Sequence, residues 1–359
     1  MHKNIFSVDW YLFGPVVVLL ILSLTILSSL SIDLFKSQLI SVIVGLIVYF
    51  IFANLRFDAF KPFSLPIYLG SLVALGVVLL LGFESHGAVR WIQFLGTSIQ
   101  FSELCKPLLV IALASYLADT DNKNVKSLFV ILLLLIPVVL FIYLQPDLGN
   151  AIIYIAATFF VLLVFGFRLR WFIASLIPVV LLSPVFWVKM HDYQRLRILT
   201  FFHPANDQSG ASYNAMQALI AVGSGMFWGR GLSEGTQSGL RFLPERQTDF
   251  IFASLTEGLG FVGGVIVLAA FAFLLYRMYV IFTRCSDPFG KVVTASAFIL
   301  LLIHVFLNIG MNIGLVPIVG VTLPFLSIGG NSLIANFVLL GMVTAVSKTV
   351  NQREVLEIR

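Results

Sequence analysis

Charge is scarce in this 359-residue sequence: Asp, Glu, Lys and Arg together make up 11% of it, against about 25% in soluble globular chains. Too few polar side chains remain to clothe a soluble surface, so a soluble fold is excluded. Cysteine is scarcer still. The two present, Cys105 and Cys285, fall near opposite faces of the topology derived below, so they are not expected to pair, and no Cys/His cluster suggests zinc. His-Glu-x-x-His and Cys-x-x-Cys are both absent, which leaves zinc-hydrolase and dithiol redox readings without support. Gly229, Gly231 and Gly235 lack a following Lys-Ser/Thr, so they make no P-loop. Gly258-Leu259-Gly260-Phe261-Val262-Gly263 spells a dinucleotide fingerprint. No strand precedes it and it lies inside an apolar run, where close packing of helices by small residues is the better reading.

What the chain has in abundance is apolar surface: 59% hydrophobic residues, 34 of them Phe, spread along the whole length. It therefore reads as one membrane domain over residues 1–359. A membrane helix needs roughly 17–25 mostly apolar residues to cross about 30 Å of hydrocarbon. Ten runs approach or meet this: Leu12–Leu30, Leu39–Ala53, Pro66–Gly82, Ser102–Leu117, Leu128–Leu144, Leu148–Phe165, Trp171–Val188, Phe250–Phe282, Val292–Ile313 and Asn331–Val346. Continuous runs favour helices over an alternating-strand barrel. The predicted class is an all-α polytopic integral membrane protein of about ten helices, with a large extracytoplasmic loop between the seventh and eighth. Leu12–Leu30 follows Lys3 but lacks an Ala-x-Ala-like cleavage site, so it is expected to be the first span rather than a signal peptide.

Lys and Arg set the orientation. With a cytoplasmic N-terminus, the inner loops carry Arg56, Lys61, Lys123, Lys126, Arg168, Arg170, Arg277, Arg284 and Lys291, with Lys348, Arg353 and Arg359 after the last span. The short outer loops carry only Lys36 and Arg90. Both termini are accordingly expected inside, and the formal charge of +5 is topological bias rather than a nucleic-acid footprint. Three outer segments are expected to wall an outward-facing cavity. Lys189–Thr248 is polar but holds an apolar face of Tyr213, Met216, Leu219, Ile220 and Val222, with Ala221 beside it. Phe83–Phe101 carries Arg90-Trp91-Ile92, and Val316–Gly330 is rich in Pro and Gly, so it is expected to re-enter the protein as irregular backbone.

Ionisable residues at the edge of such a bundle are costly, and they mark candidate sites. Asp249 stands at the lip of the eighth run. Glu103 and Lys106 are three apart and share a helix face. They form either a mutually neutralised pair or a cavity wall in which Lys106 meets an anion. Asp147 opens the sixth run, where a helix dipole stabilises its charge, so a plain cap competes with substrate contact. Glu257, deeper along the eighth run, is expected to have a structural partner.

Four stretches carry a resemblance: Gln100-Phe101-Ser102-Glu103-Leu104-Cys105-Lys106, Gln145-Pro146-Asp147-Leu148-Gly149, Leu243-Pro244-Glu245-Arg246-Gln247-Thr248-Asp249-Phe250 and Leu323-Pro324-Phe325-Leu326-Ser327-Ile328-Gly329-Gly330. In this order they resemble the signatures of the SEDS family (shape, elongation, division and sporulation), and the likeness runs over nearly the whole chain. Tyr193-Gln194-Arg195-Leu196-Arg197-Ile198 and Tyr213-Asn214-Ala215-Met216-Gln217-Ala218 look closer to its RodA branch than to its FtsW branch. The chain departs from the family pattern at Phe101 (usually Pro), Asn150 (usually Thr), Gln247 (commonly His) and Ile328 (commonly Tyr).

The resemblance implies a peptidoglycan glycosyltransferase in the bacterial cytoplasmic membrane that polymerises lipid II on the outer side, with inversion at the donor's anomeric carbon. It implies Asp249 as general base. Lys106 and Arg197, with Arg246, would offset charge on the leaving diphosphate. Glu245 would orient Arg246 or a metal, and Trp91 would stack on a sugar or anchor its loop. Glu103, Asp147, Thr248, Gln217 and Ser327 complete the expected substrate-binding set. No cofactor is implied with certainty, although a divalent cation, Mg or Mn, would suit the diphosphate. Expected partners are lipid II, a class B penicillin-binding protein transpeptidase and other elongation-complex membrane proteins; no nucleic acid is expected. The rival expectation is a flippase that moves lipid II across the bilayer.

Overall fold

The computed structural model describes residues 9–85, 88–94, 97–120, 123–190, 192–202 and 210–357; Lys3 and Arg359 of the charge pattern lie outside them. All ten apolar runs are helical. They form α1 (Trp10–Leu30), α2 (Ile32–Asn54), α3 (Ser64–Leu81), α4 (Phe101–Ala118), α5 (Val125–Leu144), α6 (Leu148–Val164), α7 (Leu169–Lys189), α11 (Ile251–Arg284), α12 (Pro288–Asn312) and α13 (Gly330–Glu357). Eight spans, those of α1 to α5 and α11 to α13, are long and apolar enough to cross a bilayer, and α6 is a shorter apolar helix. The fold is thus an all-α polytopic membrane protein.

Polar residues at the run boundaries start the helices. Free N–H groups in a first turn need acceptors, and Asp9, Ser31, Asn124, Asp147 and Asp287 supply them to α1, α2, α5, α6 and α12. α2 begins seven residues earlier than the apolar run at Leu39. Asp33, Lys36 and Gln38 mask its first two turns, yet Gln38 is buried, donating to Ser23 Oγ and Ser327 O at 3.2 Å each. The bundle is centred on its C-terminal helices: 83% of the α13 span and 72% of the α12 span are buried, against 22% for α2.

The expected outer loops have more structure than their composition announces. Phe83–Phe101 contains a three-stranded antiparallel sheet, β1 (Phe83–Ser85), β2 (Ala88–Phe94) and β3 (Thr97–Ile99), in which Ile92 faces Ile99 across the second pair. The loop after α7 holds α8 (Asp192–Phe202), α9 (Ala211–Ser224) and the single turn α10 (Thr236–Gly239). Of the apolar surface expected on α9, Ala221 and Val222 pack inward, but the large side chains Met216, Leu219 and Ile220 do not. Ala218 and Ala221 are buried, whereas those three are exposed, because only small side chains fit where α9 lies close against α11. The segment between α12 and α13 does re-enter as irregular backbone. Val321, Leu323, Phe325, Leu326 and Ser327 are buried, and Ser23 Oγ donates to Leu326 O at 2.6 Å, so its carbonyls do not go unsatisfied.

α11 was expected to be one continuous helix, and it breaks at Gly260 (φ 67°, ψ −164°). The glycine motif there is neither a nucleotide loop nor a helix–helix seam. Its backbone is docked on a second glycine cluster in the preceding loop: Arg230 N donates to Glu257 O (2.9 Å), Gly231 N to Gly258 O (3.1 Å) and Phe261 N to Met226 O (2.8 Å). A Cβ at Gly260 would lie 2.2 Å from Gly229 N, so only glycine serves this approach. One turn earlier, the buried Glu257 accepts from Gln237 N and Ser238 N at 2.8 Å each and from Ser238 Oγ at 2.6 Å. Its structural partner is the first turn of α10.

Candidate active site

Asp249 lies between α10 and α11, and its backbone is held from two directions. Asn308 Nδ2 and Asn312 Nδ2, one turn apart on α12, both donate to Asp249 O at 3.0 Å. Asn312 Oδ1 accepts from Ala253 N in the first turn of α11 (3.0 Å). Next door, Ser327 Oγ donates to Thr248 O at 2.6 Å and accepts from Leu323 N at 2.8 Å, while Ile328 N donates to Gln247 O at 3.0 Å. These bonds commit the main chain on either side of the carboxylate.

Around that carboxylate the structure gathers Glu245, Arg197, Arg90 and Asp147. Burial, with the charge of Glu245, pushes the Asp249 pKa up to about 6; Arg197 and Arg90 oppose the rise, and Asp147 adds to it. Gly320 (φ +69°) marks the gap between carboxylate and guanidinium: a Cβ there would sit 3.4 Å from Asp249 Oδ2 and 3.5 Å from Arg197 Nη1. Arg197 is on α8 and Arg90 on β2, so two separate inter-helix segments bring a guanidinium charge to bear on the same carboxylate.

Asp147 organises the opposite wall. It is 2% exposed and accepts from Gln100 Nε2 (2.9 Å), Ser102 Oγ (3.1 Å), Asn150 Nδ2 (2.9 Å) and Asn150 N (3.3 Å). Arg90 Nη1 approaches it at 3.7 Å, and Arg90 Nε is buried without a partner among the described residues. A carboxylate so fully engaged acts as a cap and as the seat of Arg90. One helical turn below, Lys106 Nζ donates to Glu103 Oε2 at 2.8 Å and meets His304 Nε2 at 2.8 Å, with all three side chains buried. Lys106 also lines an apolar pocket among α3, α4, α5, α6 and α12 with Leu109, Leu113, Leu134, Val138 and Leu300.

Other expected residues fall elsewhere. Arg246 is buried and gives its Nη1 to the carbonyls of Ser238 and Gly239, which makes it a brace of the α10 turn. Glu245 does not orient it; Glu245 Oε2 accepts from Thr248 Oγ1 at 2.9 Å. Trp91 is half-buried on β2 beside Arg90, and Gln217 is half-buried on α9. Arg90, Gly320, His304, Asn308 and Asn312 were not singled out from the sequence as site residues. The last three had a legible signal, polar residues at i, i+4 and i+8 in an apolar run, hence one helix face. Among the described residues no three His, Cys, Asp or Glu side chains group as metal ligands. The carboxylates near Asp249 are faced by two arginines, so the donor set fits Mg or Mn poorly.

Fold and site together define a polytopic membrane protein with a carboxylate and cations poised where the helical bundle meets the loops that follow α3 and α7. Residues 3–352 match the model of the cell cycle protein family of FtsW, RodA and SpoVE, and the chain belongs to that family. It is 34% identical to the peptidoglycan glycosyltransferase MrdB of Escherichia coli over 342 residues, 92% of each chain. It is 37% identical to a probable peptidoglycan glycosyltransferase FtsW of Idiomarina loihiensis over 285 residues, 76% of this chain and 69% of that one. Among solved structures it resembles a chain from a peptidoglycan synthase complex that coordinates polymerization and crosslinking (30% identity, TM-score 0.83, covering 97% of this chain and 99% of that one). It also resembles the rod shape determining protein RodA of Thermus thermophilus (28%, TM-score 0.73, 96% and 98%).

Proposed function

We propose that this peptidoglycan glycosyltransferase polymerises lipid II, with Asp249 as the general base. The observation that carries the proposal is the pairing of a carboxylate raised to about 6 with Arg197 across the gap at Gly320, with the charge of Arg90 also acting on it. A base titrating near working pH can both be ionised and accept a proton well. In the step proposed, the acceptor's GlcNAc 4-hydroxyl oxygen bonds to the anomeric carbon of the lipid-linked MurNAc while its proton passes to Asp249. The bond from that carbon to the diphosphate oxygen breaks, the centre inverts, and undecaprenyl diphosphate leaves with the electron pair.

Arg197, Arg90 and Lys106 would receive the diphosphate. Arginine offers a planar fork for phosphate oxygens and lysine a point charge. The unpartnered Nε of Arg90 leaves a donor for such an oxygen. Lys106 lines an apolar pocket, a setting that suits a lipid tail next to its phosphate. Gln217, Trp91 and Thr248 remain candidates for sugar contacts. No step is assigned to Mg or Mn, since Arg90 and Arg197 already face the carboxylates with positive charge. The membrane orientation that fits this chemistry has both termini cytoplasmic and the site facing outward. A class B penicillin-binding protein transpeptidase is the partner proposed, supported by the likeness to a chain of a synthase complex.

Polymerisation of purified lipid II in detergent by the parent and by Asp249→Asn, each with and without a cognate transpeptidase, tests the reading. Glycan strands from the parent alone are expected. Strands from both proteins at one rate would remove Asp249 from the role. Translocation of lipid II in proteoliposomes without strands would favour the flippase.

A further inference from the structure

The contacts of His304 give it a defined tautomer. Its Nδ1 lies 2.7 Å from Leu300 O on its own helix, and a carbonyl oxygen only accepts, so Nδ1 carries the proton. Nε2 then presents a lone pair to Lys106 Nζ at 2.8 Å. The ammonium has three N–H groups. One goes to Glu103 Oε2 at 2.8 Å and a second to His304; the third has no partner among the described residues. Because the three are tetrahedrally disposed, holding two fixes the direction of the last.

We infer that His304 is a positioning residue for Lys106: it fixes the ammonium on the α4–α12 seam so that the remaining N–H is presented, pre-aimed, to a phosphate oxygen of the lipid diphosphate. The inference rests on the proposed function. Lysine is a flexible four-carbon stem bearing a compact charge, and ordering it when ligand arrives weakens binding unless the order already exists. Glu103 alone leaves the ammonium free to swing about a single contact. His304 supplies the second contact from a different helix. It does so without adding charge, so Lys106 keeps a donor for an anion although Glu103 offsets its charge. The same face of α12 carries Asn308 and Asn312, which hold the Asp249 carbonyl. Four residues of helix rise about 6 Å, so one rigid element sets the spacing of the leaving-group cation and the base.

The test is binding of undecaprenyl diphosphate to purified full-length protein in detergent, read by microscale thermophoresis, for the parent and for His304→Leu, His304→Asn, His304→Gln, Lys106→Met and the Lys106→Met/His304→Leu double variant. Gln places an acceptor near the position of Nε2. Asn keeps the reach to Leu300 O but falls short of Lys106, and Leu keeps neither. A hydrogen bond to a charged group is at stake, so Leu and Asn should raise Kd about tenfold or more. Gln should stay within about threefold, and the double variant should bind no worse than Lys106→Met. If Leu fails to fold, Asn against Gln carries the comparison. Parental binding by Leu or Asn, equal losses in Asn and Gln, or losses that multiply in the double variant would each overturn the inference. Lipid II polymerisation by the parent in the same preparation would then leave the functional reading standing. A parent that neither binds undecaprenyl diphosphate nor polymerises would overturn both.

Discussion

If the surroundings of Asp249 set its proton affinity, activity should fall on acidification far above the ordinary carboxylate range. The ordinary value is 3.8, and burial with Glu245 raises it to about 6 against the pull of Arg197 and Arg90. At pH 5 an ordinary carboxylate remains over about nine-tenths ionised, whereas Asp249 would be about one-tenth ionised. kcat/KM for lipid II should therefore drop roughly tenfold between pH 7 and pH 5. The neighbours give a sharper test because their signs differ. Arg197→Gln removes a cation that favours the ionised form, so the acid limb should move to higher pH; Glu245→Gln removes an anion that disfavours it, so the limb should move to lower pH. Asp249→Asn should cost about 10²–10⁴ in rate. It should not weaken the fold. A group whose folded pKa lies above its unfolded value stabilises when protonated, and that stabilisation is lost as pH rises from 3.8 towards 6. At neutral pH the ionised carboxylate thus carries a penalty of up to about 3 kcal/mol, at about 1.36 per unit, which Asn avoids; the thermal midpoint should stay level or rise. The assay is strand formation across pH 4.5–8 with thermal unfolding in the same detergent. An acid limb near pH 4, or limbs that move the same way in the two neighbour variants, would refute the reasoning.

Other consequences are as open to measurement. Gly320→Ala sets a methyl 3.4 Å from Asp249 Oδ2 at positive φ; polymerisation should fall at least about tenfold, at a strain cost of about 1–2 kcal/mol visible in the melting curve. Glu257→Ala strips the acceptor from two backbone N–H groups and a hydroxyl. At about 1–3 kcal/mol per orphaned buried donor, limited proteolysis should cut the 210–248 region faster than in the parent. Asn312→Leu removes one of the two donors to Asp249 O and the acceptor of Ala253 N together, and kcat should drop with little change in undecaprenyl diphosphate affinity, as rate assays beside binding isotherms would reveal.

The features legible in the sequence are those that composition reports directly. Ten apolar runs became ten helices because the bilayer demands continuity, and Glu103 with Lys106 declared a pair by spacing alone. Asp147 read as a cap, and Glu257 as a residue needing a partner. Arg90 escaped because a guanidinium in a short outer loop looks the same whether it marks topology or meets a carboxylate. Only the β2 strand, folded back over α3 and α4, brings it to Asp147. Arg246 misled for the converse reason: its motif neighbours Asp249, but the positive φ of Glu245 (48°) turns the chain, and the guanidinium goes to carbonyls of α10. Two of the four departures from the family pattern, Gln247 and Ile328, touch through Ile328 N and Gln247 O, a bond that side-chain identity leaves intact. At a third, Asn150 gives its amide to Asp147.

The joint at Gly260 makes length, rather than side-chain chemistry, the protected property of this region. At Gly260 the loop grips α11 through main-chain groups, with the Glu257 side chain holding α10 one turn earlier, so a single insertion between Asp249 and Gly260 would swing the helix face by about 100° and shift it about 1.5 Å. The carboxylate is in effect surveyed from a fixed benchmark: its height is counted off in helical residues from the glycine where the loop is moored.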